Sequence, residues 1–237
     1  MTERREHLAG LFTVCVGGSG PGCLTVVGLH GYGMRPVDLS PFAHSLGVEA
    51  DFYFPAGPVD AVPAGHAWWP LDMPRPATGP DGGPRDLYRE HPPGVGAARR
   101  HLGALVDAVI ARHPGSPLVM LGFSQGGMLA CDAILRGAVS ARALVLLSAS
   151  RLSLDEWTPL ASRLRGLPVL VSHGDRDPDL DFRAGEALRD FCVDAGADVT
   201  WVPFQGQHEI PLPVWRRIRR FLSAVAQRAG GVPHSRA

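Results

Sequence analysis

The chain contains no lysine; all of its 23 basic residues other than histidine are arginines. That absence excludes Schiff-base chemistry, a P-loop lysine and a serine-lysine dyad, so any covalent catalysis has to use another nucleophile. Excess charge is missing too: 23 basic and 23 acidic residues give a formal net charge of +0, with a pI near 7.2. Without a basic face, neither nucleic acid nor an anionic membrane is expected as a partner held by bulk electrostatics. Arg216, Arg217, Arg219 and Arg220 do cluster, but on the polar side of an amphipathic helix, as a solvated face would. Cysteine is sparse: Cys15, Cys23, Cys131 and Cys192 show no CxxC spacing and lie in apolar runs, which reads as buried thiols rather than a metal site or disulfides, with a Cys15–Cys23 hairpin pair as the minor option. No cluster of histidine and carboxylate has ligand spacing, so no metal and no cofactor are expected.

No apolar run reaches the length of a membrane-spanning helix, so no integral span is expected. The start of the chain superficially resembles a signal peptide, charged over Met1–His7 and apolar over Leu8–Val16. Two glutamates in the charged part and the lack of a small-x-small cleavage site weigh against that, and the alternation in Phe12-Thr13-Val14-Cys15-Val16 suits a first strand. The expectation is a cytoplasmic protein, monomer or homodimer. At 237 residues and 45% hydrophobic, one α/β domain over residues 1–228 accounts for the core, with 229–237 as a disordered tail.

What the sequence does have centres on residues 118–130, where the apolar run Leu118-Val119-Met120-Leu121 meets Gly122-Phe123-Ser124-Gln125-Gly126 and an apolar helical pattern follows at once. This predicts a strand, a sharp turn and a helix. Glycines two residues either side of the serine let the chain reverse without side-chain collisions, and the helix start turns its unpaired amides toward whatever the hydroxyl attacks. Met128, Leu129, Ala130, Ala133, Ile134 and Leu135 carry the helical face as far as Gly137.

Around that elbow, strands alternate with helices. Strands are expected at 12–16, 23–29, 51–55, 143–148, 168–173 and 199–203, and helices from Val95 (buried face Ala98, Leu102, Leu105, Val106, Val109, Ile110), from Phe182 and from Val214. The alternation predicts a mostly parallel sheet with helices on both faces. Residues 17–22 form a turn cluster, and 56–94, rich in proline and glycine, form one irregular region with a mobile tip at 78–84. The Trp68-Trp69 pair in that region either lines an apolar substrate pocket or anchors the loop to the core.

A serine hydroxyl needs an imidazole to take its proton and a carboxylate to orient the imidazole. Ser124, Asp177 and His208 occur in serine, acid, histidine order, each just beyond an expected strand. Of ten histidines, His208 alone falls in a glycine-flanked loop after the last strand. Asp175 is the rival acid. The Tyr32 amide, in His30-Gly31-Tyr32-Gly33, is the candidate oxyanion donor. Trp68, Trp69 and His30 are the candidate substrate-binding residues, His30 and His173 otherwise serving to orient loops.

Together, His30-Gly31-Tyr32-Gly33, Gly122-Phe123-Ser124-Gln125-Gly126-Gly127, Ser172-His173-Gly174-Asp175-Arg176-Asp177-Pro178 and the late His208 resemble the phospholipase/carboxylesterase family, which includes the acyl-protein thioesterases. The likeness runs from about Thr25 to Leu222. It implies an α/β-hydrolase fold without a large lid domain, and a serine hydrolase that cleaves a small-molecule carboxylic ester, thioester or lysophospholipid. In the resemblance Ser124 is the nucleophile, Asp177 the acid, His208 the base, Tyr32 and Gln125 the oxyanion amides, and Trp69 matches a pocket-lining aromatic. Two places depart from the family pattern: Met34 stands where an acid is usual, and Asp179-Leu180-Asp181 replaces a valine-rich stretch. The bulky Trp68-Trp69 pair and the proline-rich loop favour short or medium acyl chains over long ones. A non-catalytic ligand-binding module on the same fold and a triad hydrolase of peptide or carbon-carbon bonds are the competing readings.

Overall fold

A computed structural model describes residues 2–17, 20, 23–71 and 85–230. Ten strands are described: β1 (Thr2–Leu8), β2 (Leu11–Gly17), β3 (Leu24–Leu29), β4 (Ala50–Pro55), β5 (Val59–Asp60), β6 (His66–Ala67), β7 (Leu118–Phe123), β8 (Ala143–Leu147), β9 (Pro168–Gly174) and β10 (Asp198–Phe204). The helices are α1 (Pro36–Leu46), α2 (Val95–Arg112), α3 (Gln125–Leu135), α4 (Leu154–Trp157), α5 (Phe182–Asp194) and α6 (Leu212–Gly230), with a 3₁₀ turn over Thr158–Leu164.

Eight strands form one sheet in the order β1-β2-β4-β3-β7-β8-β9-β10. The pairs β1–β2 and β2–β4 are antiparallel and the remaining neighbours parallel. β7 is apolar throughout because both its faces are covered. One face packs on α1 and α6, through Leu39, Ala43, Val214, Ile218 and Leu222; the other packs on α2, α3 and α5, through Leu102, Leu105, Leu129 and Leu188. From β3 the chain moves outward to β4 and then returns across β3 to β7, so the strand order reverses between β3 and β7. Chain ends leaving that gap diverge to opposite faces, which opens a crevice at the strands' carboxyl ends.

Several elements differ from the sequence expectation. The charged Thr2–Leu8 segment is an edge strand; it alternates little in burial, and Glu6 is held by Arg112 at the end of α2 through contacts of 2.6 and 3.0 Å. α1 is absent from the sequence expectation, and it carries two prolines, Pro36 and Pro41. Pro36 occupies the first turn, where a missing amide costs nothing, Asp38 at the third position accepts from the Arg35 amide at 2.8 Å, and Pro41 lies on the exposed side. Ile110, expected on the buried face of α2, is exposed, since the apolar stripe has rotated past it by the last turn. All four cysteines are free thiols, so the hairpin pair is not formed. α6 continues to Gly230, two residues beyond the expected boundary, and 231–237 lie outside the described residues, as do 78–84 and most of the 17–22 cluster. No helix among the described residues is long and apolar enough to cross a membrane.

α3 is buried on every side, and that includes Asp132. Its carboxylate is compensated from three directions: Arg99 Nη1 at 2.5 Å, Arg136 Nε at 3.1 Å and the Trp157 indole N–H at 3.0 Å. Removing it leaves two guanidinium groups and an indole facing a hole. Asp132→Ala is therefore expected to lower unfolding free energy by about 3–5 kcal/mol, measured by urea denaturation; a change below about 1 kcal/mol would mean that water replaces the carboxylate.

Candidate active site

Ser124 lies between the end of β7 and the start of α3 with φ 51° and ψ −119°, a conformation that L-residues adopt only under constraint. The constraint is visible. The Ser124 amide donates to Leu147 O at 2.8 Å, and its carbonyl accepts from the Gly127 and Met128 amides at 3.0 and 3.1 Å. A methyl group on Gly122 would collide with the Gly126 carbonyl carbon, and one on Gly126 with the Leu29 and His30 carbonyls. α3 thus starts in backbone contact with the end of β3, directly across the switch point.

The loop after β3 passes against the same turn: a Cβ on Gly31 would lie 2.9 Å from the Phe123 ring and 3.3 Å from Ser124 Cβ. It is pinned by Gly33 N to His66 O at 2.9 Å, His66 N to Met34 O at 2.9 Å and Met34 N to Gly31 O at 3.2 Å. Among the described residues the Tyr32 and Gln125 amides donate to no protein acceptor, and both residues border the same cavity as Ser124.

On the other side of β7, the loops after β9 and β10 are stitched together. Asp175 N donates to Phe204 O and Arg176 N to Gly206 O, both at 2.9 Å, and the Asp175 carboxylate accepts from Gly206 N at 3.0 Å. Asp175, the rival acid, is therefore committed to holding the loop that carries His208. Asp177 meets the imidazole: His208 Nδ1 donates to Asp177 Oδ2 at 2.6 Å, while Oδ1 accepts from the Asp179 and Leu180 amides, each at 2.9 Å. Burial of Asp177 opposes its ionisation, but the hydrogen bonds from His173 and His208, the His208 charge and the Leu180 amide outweigh it and hold the carboxyl well below the usual range. A charged Asp177 with Nδ1–H directed at it leaves Nε2 of His208 as the free basic atom.

His173 stands behind this pair, fully buried. Its Nε2 is 3.1 Å from Leu180 O and 3.3 Å from Asp177 Oδ2. Both neighbours are acceptors, so Nε2 carries the proton and Nδ1, which has no partner, is bare. Gly185 of α5 packs so closely that a Cβ there would fall 2.5 Å from the ring. His173 fixes the acid and lies outside the cavity wall.

The cavity measures about 650 Å³, and Ser124, His208, Phe123, Trp69, Leu180 and Ile210 are among the residues around it. Two expected substrate contacts are corrected here. Trp68 is buried behind the wall: its indole donates to His30 O at 2.9 Å, and its ring stacks on His30 at 5.3 Å. His30 is 0% exposed, with Nδ1 donating to Gly31 O at 2.7 Å and Nε2 accepting from Gly57 N at 2.8 Å. Both anchor the loop to the segment after β3, and only Trp69 of the pair borders the cavity. No sequence signal marks the side chain of Gln125, which accepts from Trp68 N at 2.8 Å and donates to Trp69 O at 2.9 Å, clamping the tryptophan loop to the elbow. Nor did sequence spacing reveal that Asp177, Asp179 and His208 bring ligand-type atoms within 4.8 Å of one another. In that group Asp177 and His208 are already bonded to each other. Met34 and Leu180, at the two departures from the family pattern, both border the cavity.

A mostly parallel sheet, helices on both faces, a nucleophile elbow at the switch point and no large lid among the described residues define an α/β hydrolase. The model of the phospholipase/carboxylesterase family matches residues 14–226, and the chain belongs to that family. Over 117 residues it is 29% identical to acyl-protein thioesterase 1 of Neurospora crassa, covering 46% of each chain, and over 88 residues 32% identical to acyl-protein thioesterase 1 of Cryptococcus neoformans, covering 34% of each. The matches thus span half or less of these relatives. Among solved structures, a carboxylesterase from Mesorhizobium loti superposes with a TM-score of 0.75 at 20% identity, covering 93% of this chain and 98% of that one. The esterase PE8 gives 0.74 at 24% identity, with 89% and 97% covered, and acyl-protein thioesterase 2 of Zea mays 0.69 at 20% identity, with 90% and 98% covered. At these identities the superpositions establish the fold.

Burial lowers the His30 pKa from 6.5 to about 4, the Gly31 carbonyl only partly opposing it. Between those values the unfolded chain binds the proton and the folded chain does not, so stability falls as pH drops from 6.5 toward 4, by about 3 kcal/mol from this group. The depressed Asp177 adds its own loss below that window. Denaturation midpoints from pH 7 to pH 4 should fall for the wild type and fall less steeply for His30→Gln; equal slopes would show that His30 is not the group responsible.

Proposed function

We propose that this protein is a serine hydrolase of carboxylic esters that works through an acyl-enzyme on Ser124. The observation that carries the reading is the 2.6 Å bond from His208 Nδ1 to Asp177, in a cavity that His208 shares with Ser124. In this mechanism His208 Nε2 takes the proton of the Ser124 hydroxyl as Oγ attacks the ester carbonyl. The Tyr32 and Gln125 amides stabilise the resulting oxyanion. Collapse breaks the bond to the leaving oxygen, which departs as an alcohol with the proton returned by His208. Water then enters, gives its proton to His208 and attacks the acyl carbon, releasing the acid and restoring Ser124. No step calls for a cofactor. The likeness to fungal acyl-protein thioesterases supports thioesters as a second substrate class, cleaved by the same steps with a thiol leaving.

The preference for short or medium acyl chains rests in part on two tryptophans facing substrate, and with Trp68 behind the wall that part of the ground is removed. The wall is instead apolar and roomy, with Leu39, Phe42, Leu71, Leu87 and Leu152 among its members. Each methylene that enters it contributes about 0.8 kcal/mol, roughly fourfold in kcat/KM. p-Nitrophenyl esters from acetate to octanoate should therefore rise in kcat/KM with length, and a flat or falling series would place the acyl group elsewhere.

A fluorophosphonate probe should label the protein once, at Ser124, and Ser124→Ala should lose both labelling and roughly 10,000-fold or more in kcat while retaining its unfolding midpoint. Turnover surviving in that variant, or label on another residue, would remove the assignment; absence of any labelling would favour a ligand-binding module on this fold.

A further inference from the structure

Among the described residues, one cation in the cavity wall stands without a counter-charge. Arg85 is pinned to the loop after the proposed acid: its amide donates to Asp179 O at 3.3 Å, its carbonyl accepts from the Asp181 amide at 2.9 Å, and it forms a single β-bridge with Leu180. Arg85, Asp179 and Leu180 all border the cavity that holds Ser124 and His208. Arg85 Nε is buried with no partner, and among the described residues its guanidinium makes no side-chain hydrogen bond or ion pair. Arg151, whose Nε is likewise unpartnered, differs because its Nη2 binds Asp86 at 3.0 Å. A guanidinium keeps its charge and its five donors at any physiological pH, so placing one unpaired in a largely apolar wall is unfavourable unless something that enters the cavity completes it.

Among the described residues, the carboxylates around the cavity do not supply the partner. Asp38 is taken by Arg35, through its main-chain amide at 2.8 Å and its guanidinium at 3.2 Å, and Glu209 accepts from the Gln207 amide at 3.2 Å. Glu90 is engaged elsewhere. Asp179 groups with Asp177 and His208 and makes no ion pair with Arg85. These carboxylates also limit the charge the site can accept. A phosphate dianion would need a second free cation, but His91, the other basic group of the wall besides His208, already faces Asp155 at 3.3 Å and Glu156 at 3.2 Å. A single carboxylate matches the planar fork of one guanidinium.

We propose that Arg85 is a specificity-determining residue that binds a carboxylate carried by the substrate, so that the preferred substrate is an acidic ester, either a half-ester of a dicarboxylic acid or the ester of a carboxylated alcohol. The proposal rests on the ester-hydrolase reading above. It accounts for a buried unpaired donor in the wall of the cavity that Ser124 and His208 share, and it gives the loop carrying Asp179-Leu180-Asp181 a role in holding Arg85 at the cavity.

The test compares two matched pairs: mono-p-nitrophenyl adipate with its methyl diester, for a carboxylate on the acyl side, and 4-carboxyphenyl butyrate with its methyl ester, for one on the leaving-group side. For the wild type, the acid of at least one pair should exceed its neutral partner in kcat/KM by about tenfold or more, the scale of a charge-assisted hydrogen bond. That ratio should collapse in Arg85→Met and be partly kept in Arg85→Lys. A merely structural role would lower both members of a pair together and leave the ratio unchanged. No wild-type preference in either pair, or a preference that survives Arg85→Met, overturns the proposal. If the wild type cleaves none of the four esters, the ester-hydrolase reading itself fails, and with it the role of Arg85.

Discussion

The backbone contact between Gly126 and the end of β3 is the constraint on which the rest of the molecule depends. There the first turn of α3 lies so close to the Leu29 and His30 carbonyls that no side chain fits, and the same approach forces Ser124 to φ 51°. Because β3 and β7 flank the switch point, this contact sets the mouth of the crevice: it aims the first amides of α3 and the loop after β3 into one space. Ser124 sits in a strained conformation because the surrounding hydrogen bonds leave the chain no other path.

A second set of interactions turns this turn into a site. Asp175, His173 and the amides of Asp179 and Leu180 bind loops to loops, and what they hold in common is the Asp177 carboxylate and the ring of His208. The division of labour is physical. His30, which fixes geometry, is buried with both ring nitrogens bonded, and Asp175, though exposed, has its carboxylate committed to the Gly206 amide. The groups proposed to act chemically face the cavity, with one atom left unbonded. Arg85 shares that second property, which is why it stands out among the arginines of a chain that has no other fixed cation type.

Legibility followed local chemistry. The elbow could be read because its glycines answer a steric demand within five residues, and the parallel strands because both-face burial makes them uniformly apolar. α1 was hidden since prolines that usually break helices sit where this one tolerates them, in the first turn and on the exposed side. β1 was hidden since an edge strand held by pairing and by Arg112 can remain charged along its length. Trp68 and His30 were misplaced for a related reason: an aromatic in an irregular loop beside a site looks the same in sequence whether it faces substrate or holds the loop from behind.

By itself, then, the sequence determined the order of most of the sheet strands and of the long helices α2, α3, α5 and α6, the reversal at Ser124, the family and the residues from which chemistry was expected, because each depends on patterns spanning a few residues or on motif order. Tertiary structure alone decided which of Asp175 and Asp177 meets His208, which tryptophan borders the cavity, and that Arg85 borders the same space with no counter-ion among the described residues. Those outcomes depend on distances between segments far apart along the chain, and such distances are fixed only when the sheet aligns the strand ends and the loops beyond them pack against one another.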